Sequence, residues 1–547
     1  MRPATGGSDV FTKIERVSVA GLSQADHGVS PPLISIPRDY NAAHDLVERN
    51  LLAGRGSKTA YIDDKGRYSF AELGERVSRA ANALTGLGLE MESRVMLALL
   101  DTIDFPSVFL GAIKAGVIPV PANTLLTTAD YKFMLEDSRV RALIVSEALL
   151  PAFAPLLGNV STLKHVIVSG RDAHGHLHLQ QLMAAASTTC EPAPTKADDA
   201  CFWLYSSGST GTPKGAVHVH SSLIQTAELY AKPVLGIRET DVVFSAAKLF
   251  FAYGLGNALT FPLAVGATAL LMAERPTPAA VFKRLKEHRP TIFYGVPTLY
   301  GALLAHPERP IKSELALRVC TSAGEALPAE LGQRWTEQFG VEILDGIGST
   351  EMLHIFISNR PGEVRYGTTG KPVPGYEIRL ADEQGTDSAI GEIGELQING
   401  PTSAMCYWNN RARSLSTFVG LWTRAGDKYT RDADGFYTYG GRSDDMLKVS
   451  GMYVSPFEVE AALMSHPDVL EAAVVGVADD QNLIKPKAFI VAKPGVAATP
   501  ALADNLKGHV KNRIAPYKYP RWVEFMPELP KTATGKIQRF KLRAMKP

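Results

Sequence analysis

A stretch rich in hydroxyl groups and glycine lies between two apolar runs at residues 202–220, where the sequence reads FWLYSSGSTGTPKGAVHVH. Glycine lets the backbone approach a ligand closely, hydroxyl and N–H groups donate to phosphate oxygens, and a lysine neutralises phosphate charge. These residue types predict a loop that binds an oligophosphate, and a flexible Ser/Gly loop is the alternative for the stretch taken alone. The residues concerned are Ser206, Ser207, Gly208, Ser209, Thr210, Gly211, Thr212 and Lys214.

The spacing within this stretch differs from the GxxxxGK[ST] pattern of a kinase-type P-loop. Gly208 and Lys214 do not fit that register, so a loop of the kinase type is disfavoured. A phosphotransferase that uses the loop in another way remains an alternative function. Such an enzyme would release ADP from ATP.

Alternating strand-like and helix-like segments indicate how such a loop is held. Short β-branched runs at 94–100, 142–146 and 165–169 alternate with helix-like stretches such as 105–115. This order is typical of parallel sheets with covering helices. The large front part of the chain is therefore predicted to be α/β.

One strand–helix–strand unit can be followed closely. A strand at 317–322 precedes a helix with Pro328 at its first position, Gly340 ends that helix, and a second strand follows at 341–344. The apolar residues on one helix face are Leu331, Trp335 and Phe339. Ligands of such sheets bind beyond the carboxyl ends of the strands, so we expect the loops at 323–327 and 345–351 to line one crevice.

A second unit is predicted in the last hundred residues. A hairpin-type turn is predicted at Asp434–Gly435, and a new unit is expected to begin after it. The sequence SPFE from Ser455 then predicts an N-cap, a proline at the first helical position and a capping-box Glu458. A strand at 471–477 follows. Residues 445–547 hold 15 Lys+Arg against 10 Asp+Glu, so this unit is basic.

The length and the net charge of the chain limit the number of domains and the kinds of partner that can be expected. A chain of 547 residues is expected to form at least two domains, and a net charge of +1 gives no reason to expect a nucleic acid or membrane partner. Cys190, Cys201, Cys320 and Cys406 lack CxxC spacing, which predicts reduced packing thiols in the cytoplasm. The apolar run at 258–272 is too short for a membrane span.

The N-terminal sequence shows no apolar core after its basic residues, so no signal peptide is expected. Residues 1–35 are predicted to be a weakly ordered segment. The sequence HGHLH at 174–178 suggests a metal site, but no Cys or carboxylate cluster accompanies it, and a loop with exposed imidazoles is the preferred interpretation.

Five ordered motifs resemble those of the adenylate-forming superfamily, which includes acyl-CoA synthetases, firefly luciferase and peptide-synthetase adenylation domains. They are the loop at 202–220, TSAGEALP at 321–328, DGIGSTE at 345–351, GDKYTRDADGFYTYGGRSDDMLKVSG at 426–451 and PKTATGK at 530–536. The resemblance covers about residues 40–547. Within the superfamily, FFAYGLGN and STEMLHIFISN are most similar to benzoate–CoA ligases and their hydroxybenzoate relatives.

The resemblance implies a large domain at 36–443, built of α/β subdomains with helix-covered sheets and a β-barrel-like part. It also implies a small mobile α+β lid at 444–547, with its hinge at Asp444. The implied reaction uses ATP and Mg²⁺ to convert an aromatic carboxylate to an acyl-AMP, with release of pyrophosphate. Coenzyme A then displaces AMP through its own thiol, so no protein nucleophile is required. A monomer or homodimer is expected.

The resemblance also implies roles for individual residues. Ser206 to Lys214 would wrap the β- and γ-phosphates, Thr350 would bind phosphate, and Glu351 would hold Mg²⁺. The adenine slot would be formed by Gly324, Glu325, Asp345, Gly346 and Ile347. Asp427 would bind the ribose hydroxyls with Arg442 nearby. Lys536 would bridge the carboxylate and the α-phosphate, and Gly451 would approach the pantetheine arm of coenzyme A.

The acyl pocket is predicted as a flat, mostly apolar slot, although aromatic clusters are often ordinary core. His354 has three open interpretations: it faces the substrate ring, it bonds a ring hydroxyl, or it packs as a structural histidine. The pocket residues are Phe251, Ala252, Tyr253, Tyr294, Gly295, His354 and Ile355.

The sequence thus favours a benzoate–CoA ligase of the AMP-forming type. Alternatives are a 4-hydroxybenzoate–CoA ligase or another acyl-CoA ligase, an enzyme that loads a carrier protein with the aryl-AMP, and a non-catalytic nucleotide sensor. Lys536, Glu351 and Asp427 are all present, and a sensor has no evident need of all three.

Overall fold

A computed structural model describes residues 21–207, 213–442, 445–449, 452–480, 483–531 and 537–545. Several predicted site residues lie outside these ranges, and of Ser207 only the backbone is described. The site residues outside the description are Gly208, Ser209, Thr210, Gly211, Thr212, Asp444, Gly451 and Lys536.

The described strands, in chain order, are β1 Gln24–Asp26, β2 Leu33–Ser35, β3 Thr59–Asp63, β4 Gly66–Ser69, β5 Arg94–Ala98, β6 Ile118–Pro121, β7 Ala142–Ser146, β8 His165–Ser169, β9 Leu177–His178, β10 Ala200–Ser207, β11 Pro213–Val219, β12 Val242–Ser245, β13 Thr268–Leu270, β14 Ile292–Gly295, β15 Val319–Ser322, β16 Ile343–Gly348, β17 Ile355–Ser358, β18 Lys371–Pro372, β19 Glu377–Ala381, β20 Gly394–Asn399, β21 Cys406–Tyr407, β22 Phe418–Val419, β23 Trp422–Arg431, β24 Tyr437–Arg442, β25 Leu447–Val449, β26 Met452–Val454, β27 Val469–Ala478, β28 Ile484–Ala492 and β29 Trp522–Phe525.

The described α-helices are α1 Ala42–Leu52, α2 Phe70–Gly86, α3 Asp104–Lys114, α4 Thr128–Ser138, α5 Leu150–Phe153, α6 Leu179–Ala185, α7 His220–Thr226, α8 Ala252–Leu255, α9 Phe261–Val265, α10 Pro278–His288, α11 Pro297–Ala305, α12 Ala329–Phe339, α13 Arg411–Thr417, α14 Pro456–Met464, α15 Pro500–Arg513 and α16 Arg539–Ala544. Two further segments are π-helical: Ala227–Leu235 and Gly256–Thr260.

Two sheets with parallel strands organise the large part of the chain. One has nine strands in the order β18-β17-β16-β15-β14-β12-β13-β3-β4, and its centre from β16 to β3 is parallel. The other has five parallel strands in the order β6-β5-β7-β8-β9. Their central strands are apolar because helices cover both faces of such sheets. The predicted α/β class is confirmed.

Antiparallel sheets follow in the second half. Strands β19, β20, β23, β22 and β24 form one antiparallel sheet. The turn between β23 and β24 has Gly435 at φ 81°, which confirms the predicted hairpin. In the last part, β27, β28 and β29 form a mixed sheet, and helices α14 and α15 share a hydrophobic core with it.

The predicted strand–helix–strand unit is present with two corrections. Pro328 is the N-cap residue of α12 rather than its first helical residue, while Gly340 ends the helix at φ 65° as predicted. The second strand is β16, which begins at Ile343 and runs to Gly348. It leaves β15 after Asp345 and then pairs with antiparallel β17, so Asp345, Gly346 and Ile347 lie on a strand rather than in a loop.

The helix predicted from SPFE is α14. Ser455 caps it by accepting a hydrogen bond from the Glu458 N–H. The capping-box role of the Glu458 side chain was wrong, since both carboxylate oxygens accept from Lys518 Nζ at 2.7 and 2.6 Å. An ion pair with a neighbouring segment thus replaces the local contact.

Residues 21–35 belong to the folded structure, so the weakly ordered segment predicted up to residue 35 was wrong for them. Strands β1 and β2 pair in an antiparallel ladder. The Ser23 backbone N–H and hydroxyl both donate to buried Asp45 Oδ2 of α1, at 3.2 and 2.5 Å. This buried carboxylate fixes the segment to the first helix.

The apolar run at 258–272 packs in the core, as predicted. Within the described ranges, no helix has the length and apolarity needed to cross a bilayer. All four cysteines are free thiols, and Cys201 and Cys320 are buried.

Helices α2 and α3 pack closely at Gly111. A Cβ at this position would lie 2.6 Å from the Ala80 Cβ and 2.9 Å from the Val77 carbonyl oxygen. We predict that Gly111→Ala is destabilising by about 1–3 kcal/mol, because α2 and α3 must move apart. Gly301→Ala in α11 is the matched control, since no heavy atom lies within 4 Å of its Cβ position. Thermal unfolding of both variants measures the difference, and equal melting temperatures would contradict the packing argument.

Candidate active site

Two paired strands flank the predicted phosphate loop, whose residues 208–212 lie outside the described residues. Strands β10 and β11 pair antiparallel, with Ser206 opposite Lys214 and Ser207 opposite Pro213. Phe202, Trp203 and Leu204 of β10 are buried, so the arms of the hairpin are anchored in the core. Anchored arms favour a ligand-binding loop over a flexible linker, because they fix the position at which the tip is presented.

Lys214 and Glu351 come together across 137 positions of sequence. The Lys214 Nζ lies 3.5 Å from Glu351 Oε1, and each side chain is 15% exposed. Tyr407 of β21 lies between them: its hydroxyl donates to Glu351 Oε1 at 2.6 Å and accepts from Lys214 Nζ at 3.0 Å. The contact brings a cation and an anion to the base of the hairpin tip.

The three side chains affect one another's protonation. Burial alone would raise the pKa of Glu351, but the Lys214 charge and the Tyr407 hydrogen bond outweigh burial and hold that pKa below its usual range. Burial lowers the pKa of Lys214, although Glu351 opposes this shift. Burial and the Glu351 charge raise the pKa of Tyr407. Glu351 is therefore a carboxylate at neutral pH, as binding to a hard cation requires.

Thr350 is fixed through its backbone. Its carbonyl oxygen lies 2.8 Å from His218 Nε2 of β11. Burial lowers the pKa of His218 to about 4, so this imidazole is neutral at neutral pH and its Nε2 donates to the carbonyl. The Glu351 carbonyl accepts from the Ala404 N–H at 2.7 Å. Strand β11 and the loop that precedes β21 thus set the backbone that carries Thr350 and Glu351.

The segments predicted to form an adenine slot are neighbours. The Leu327 N–H donates to Asp345 Oδ2 at 3.5 Å, which joins the loop after β15 to β16. Asp345 is buried, burial raises its pKa, and its Oδ1 has no partner within 3.5 Å among the described residues. Gly324 has φ 92°, a conformation that favours glycine. The Glu325 carboxylate accepts from the Thr298 hydroxyl at 3.2 Å.

Asp427 and Arg442 face each other across the β23–β24 hairpin. The Arg442 Nη1 lies 3.2 Å from Asp427 Oδ1. The Asp427 side chain is 13% exposed, whereas that of Arg442 is 42% exposed, so the arginine reaches solvent from the edge of the pair. The structure brings the two predicted ribose-site residues together.

The predicted acyl-pocket residues gather around His354. The Tyr253 ring lies 5.6 Å from the His354 ring and 6.3 Å from the Tyr294 ring, and Phe261 makes an edge contact with His354 at 4.5 Å. Tyr230, on the first π-helical segment, lies 5.5 Å from His354. Phe251 and Ala252 precede Tyr253 and are half-buried, while Gly295 follows Tyr294, and Ile355 follows His354 in β17.

The two nitrogens of His354 differ. Its Nε2 lies 3.2 Å from the Tyr253 carbonyl and 3.2 Å from Asn257 Oδ1. Burial lowers the pKa of His354 to about 3, so the ring is neutral and Nε2 carries the proton. A Cβ at Gly256 would lie 2.3 Å from His354 Cδ2, so this π-helical segment needs glycine there. Packing thus fixes one side of the ring, while Nδ1 is a buried acceptor without a partner among the described atoms.

A buried carboxylate supports the chain segment that leads into Tyr253. Asp101, just beyond β5, accepts from the Leu249 N–H at 3.3 Å through both oxygens. Burial raises the pKa of Asp101 to about 6, although Lys248 and the Leu249 N–H oppose this shift. A residue beyond strand β5 of the five-stranded sheet therefore holds the segment that follows strand β12 of the nine-stranded sheet.

The HGHLH sequence does not form a metal centre in the described structure. His174 and His176 are exposed, as predicted, whereas His178 is half-buried and ends β9. In the part of the chain that the structure describes, no group of three or more His, Cys, Asp or Glu side chains is arranged to hold a metal ion.

Sequence reasoning missed Tyr407, His218, Asp101 and Tyr230. Tyr407 lies in the short strand β21, and His218 alternates with apolar residues in β11, so both look like ordinary core residues in the sequence. Asp101 lies just beyond the apolar strand β5, and a carboxylate near the end of such a strand could have been recognised as a site candidate. Tyr230 lies in an apolar stretch without any such signal.

Two family models match this chain: AMP-binding enzyme over residues 48–408 and AMP-binding enzyme C-terminal domain over residues 458–536. The fold is that of adenylate-forming ligases, which confirms the resemblance found in the sequence. The chain belongs to the AMP-binding enzyme family.

The similar proteins include two curated ligases and a solved structure. The chain is 65% identical to a benzoate–CoA ligase of Thauera aromatica over 96% of this chain and 99% of that protein. It is 52% identical to a 4-hydroxybenzoate–CoA/benzoate–CoA ligase of Rhodopseudomonas palustris over 93% and 94% of the two chains. A crystal structure of a benzoate CoA ligase from Burkholderia xenovorans LB400 matches with a TM-score of 0.87 at 57% identity, over 92% of this chain and 100% of that one.

Asp101→Asn is expected to change the pH dependence of stability. The folded wild type retains a proton on Asp101 up to about pH 6, whereas an unfolded chain loses it near 3.8, so the wild type loses stability as pH rises between these values. Asn keeps an oxygen that can accept from Leu249 and does not titrate. The melting temperature of the variant relative to wild type should therefore rise from pH 4 to pH 6 and stay constant above.

Asp504→Asn is the matched control, because the Asp504 side chain is 78% exposed on α15. It should show no comparable trend across the same buffers. A difference between Asp101→Asn and wild type that is independent of pH would contradict the assignment of a buried, titrating carboxyl at this position.

Proposed function

We propose that this protein is an AMP-forming benzoate–CoA ligase. It activates benzoate with ATP to give benzoyl-AMP and pyrophosphate, and it then transfers the benzoyl group to coenzyme A. The observation that carries the proposal is the buried contact of Lys214 with Glu351 at the base of the hairpin tip, in a chain 65% identical to a benzoate–CoA ligase over nearly its whole length. ATP and coenzyme A are the cosubstrates expected of this family.

The first half-reaction needs neutralisation of charge, because a carboxylate is a poor electrophile and ATP is an anion. The hairpin tip and Lys214 would bind the β- and γ-phosphates, and Thr350 would add a donor. Glu351 fits Mg²⁺, since this ion binds through one or two carboxylates together with phosphates and water. When bound, Mg²⁺ supplies positive charge to the phosphates. Lys536 is proposed to bridge benzoate and the α-phosphate.

The nucleoside is proposed to lie across the ends of β15 and β16. The unpartnered Oδ1 of Asp345 is a suitable acceptor for an adenine amino group. Gly324, Glu325, Gly346 and Ile347 would complete the slot through their backbone. Asp427 would accept from the ribose hydroxyls, and the more exposed Arg442 would lie at the mouth of this site.

The second half-reaction uses the thiol of coenzyme A, so the protein needs only to admit and orient it. We propose that the small domain, residues 444–547, rotates about Asp444, so that Lys536 leaves the site and Gly451 approaches the pantetheine arm. The large domain is taken as residues 36–443, after the N-terminal segment 1–35. We propose a cytoplasmic monomer or homodimer, with small molecules rather than nucleic acid or membrane as partners.

The aromatic cluster around His354 supports an aryl substrate. Rings of Tyr253, Tyr294 and Phe261 present flat apolar faces, which suit benzoate better than a flexible alkyl chain. The second candidate is 4-hydroxybenzoate, which is favoured by the buried, unpartnered Nδ1 of His354, an acceptor suited to a phenol. We propose benzoate as the preferred substrate because a hydroxyl would otherwise be desolvated against these rings.

The decisive assay incubates the protein with MgATP, coenzyme A and either acid. We expect equal amounts of AMP, pyrophosphate and benzoyl-CoA, with a kcat/KM for benzoate about tenfold above that for 4-hydroxybenzoate. A higher kcat/KM for the hydroxylated acid would reverse the substrate assignment. Production of ADP would reveal a phosphotransferase, and failure of free coenzyme A to accept the acyl group would indicate a carrier-protein loader.

Glu351→Gln tests the first half-reaction in the same assay. The amide keeps the size of the side chain and removes its charge, so we expect pyrophosphate release to fall by about 10²-fold or more. Glu337→Gln is the matched control, because this side chain is exposed on α12. Equal activities of the two variants would contradict the role of Glu351.

A further inference from the structure

Tyr407 occupies an unusual position between two groups that the reaction uses separately. Its hydroxyl accepts from Lys214 Nζ at 3.0 Å and donates to Glu351 Oε1 at 2.6 Å, whereas the two charged atoms are 3.5 Å apart. The stronger link between the charges therefore passes through the phenol. The Lys214 Nζ also lies 4.5 Å from the centre of the Tyr407 ring, within reach of a cation–π interaction.

The backbone of Tyr407 holds the phenol in this position. Strand β21 extends the β10–β11 sheet, with Tyr407 opposite Ala216, and the Tyr407 N–H donates to the Ser414 hydroxyl oxygen at 3.0 Å. The ring packs against Phe418 at 5.2 Å. The side chain is thus fixed independently of Lys214 and Glu351, and it can orient them rather than follow them.

We propose that Tyr407 is a positioning residue that holds Glu351 ready for the metal ion and keeps its direct contact with Lys214 at 3.5 Å, longer than either contact of the phenol. A direct buried ion pair is costly to separate, because each charge loses its partner in a medium of low polarity. MgATP requires this separation, since phosphate needs Lys214 and the metal needs Glu351. A carboxylate bound through Oε1 to the phenol keeps its orientation when Lys214 leaves, and Oε2 remains for the metal. The inference rests on the proposed function.

Tyr407→Phe tests this proposal, because it keeps the ring, its packing and the cation–π contact but removes the hydroxyl. The probe is α,β-methylene-ATP, whose α–β bridge is not cleaved. Its dissociation constant is measured by calorimetry with Mg²⁺ and with EDTA. We expect the gain in affinity due to Mg²⁺ to fall by about fivefold or more in the variant. An unchanged gain would overturn the proposal.

Tyr131→Phe is the matched control. This buried tyrosine donates one hydrogen bond, to the Asn123 carbonyl at 2.8 Å, and belongs to the α4 region. It should keep the full effect of Mg²⁺. If both tyrosine variants lose the same fraction of the effect, a general loss of stability explains the result and the positioning role is wrong.

Steady-state kinetics separate positioning from simple structural damage. We expect Tyr407→Phe to lower kcat for pyrophosphate release and raise the Mg²⁺ requirement, while KM for benzoate stays the same. An unchanged kcat and an unchanged Mg²⁺ requirement in Tyr407→Phe would contradict the proposal.

The Lys214→Gln background tests whether Tyr407 acts by keeping the charges apart. Without the ammonium group there is no ion pair whose length the phenol can set, so adding Tyr407→Phe should cost less than it does in the wild type. Equal costs in both backgrounds would overturn the spacing role. The affinity assay needs no turnover, so a wild type that binds MgATP but does not activate benzoate would refute the proposed function and leave this test intact.

Discussion

The buried contact of Lys214 with Glu351 is the interaction on which the rest of the site depends. Opposite charges stabilise each other where water is largely excluded, and a lone charge there is costly. In the proposed reaction the two groups part when MgATP binds. The Tyr407 phenol links both charges through hydrogen bonds of 3.0 and 2.6 Å, which are shorter than the direct contact of 3.5 Å between the charges.

The fold brings three separate chain segments together at this contact. The hairpin of β10 and β11 carries the cation, the turn after β16 carries the anion, and the short strand β21 carries the phenol. Strand β16 changes partners from β15 to β17, which carries the chain past the parallel sheet to the aromatic cluster around His354. The residues proposed to bind the nucleotide and those proposed to bind the acid therefore share one continuous segment.

The sequence predicts much of this arrangement because its signals are local. Glycine and hydroxyl residues predicted a phosphate-binding loop between two apolar runs, and the described parts of those runs form the paired strands β10 and β11. Tertiary contacts were not visible in the same way. Tyr407 has the pattern of an ordinary core tyrosine, β16 extends only because β17 becomes its partner, and Glu458 leaves its capping role for Lys518. Pairings between distant segments decide these cases, and no local pattern encodes them.

Exchange of labelled pyrophosphate into ATP is the most direct test of the central claim, that these converging groups make adenylyl transfer to a bound acid easy. The wild-type protein is supplied with Mg²⁺, ATP and benzoate, and coenzyme A is left out. The account predicts label in ATP only when both the metal and the acid are present. Absence of exchange with benzoate and with every other carboxylate tried would contradict it.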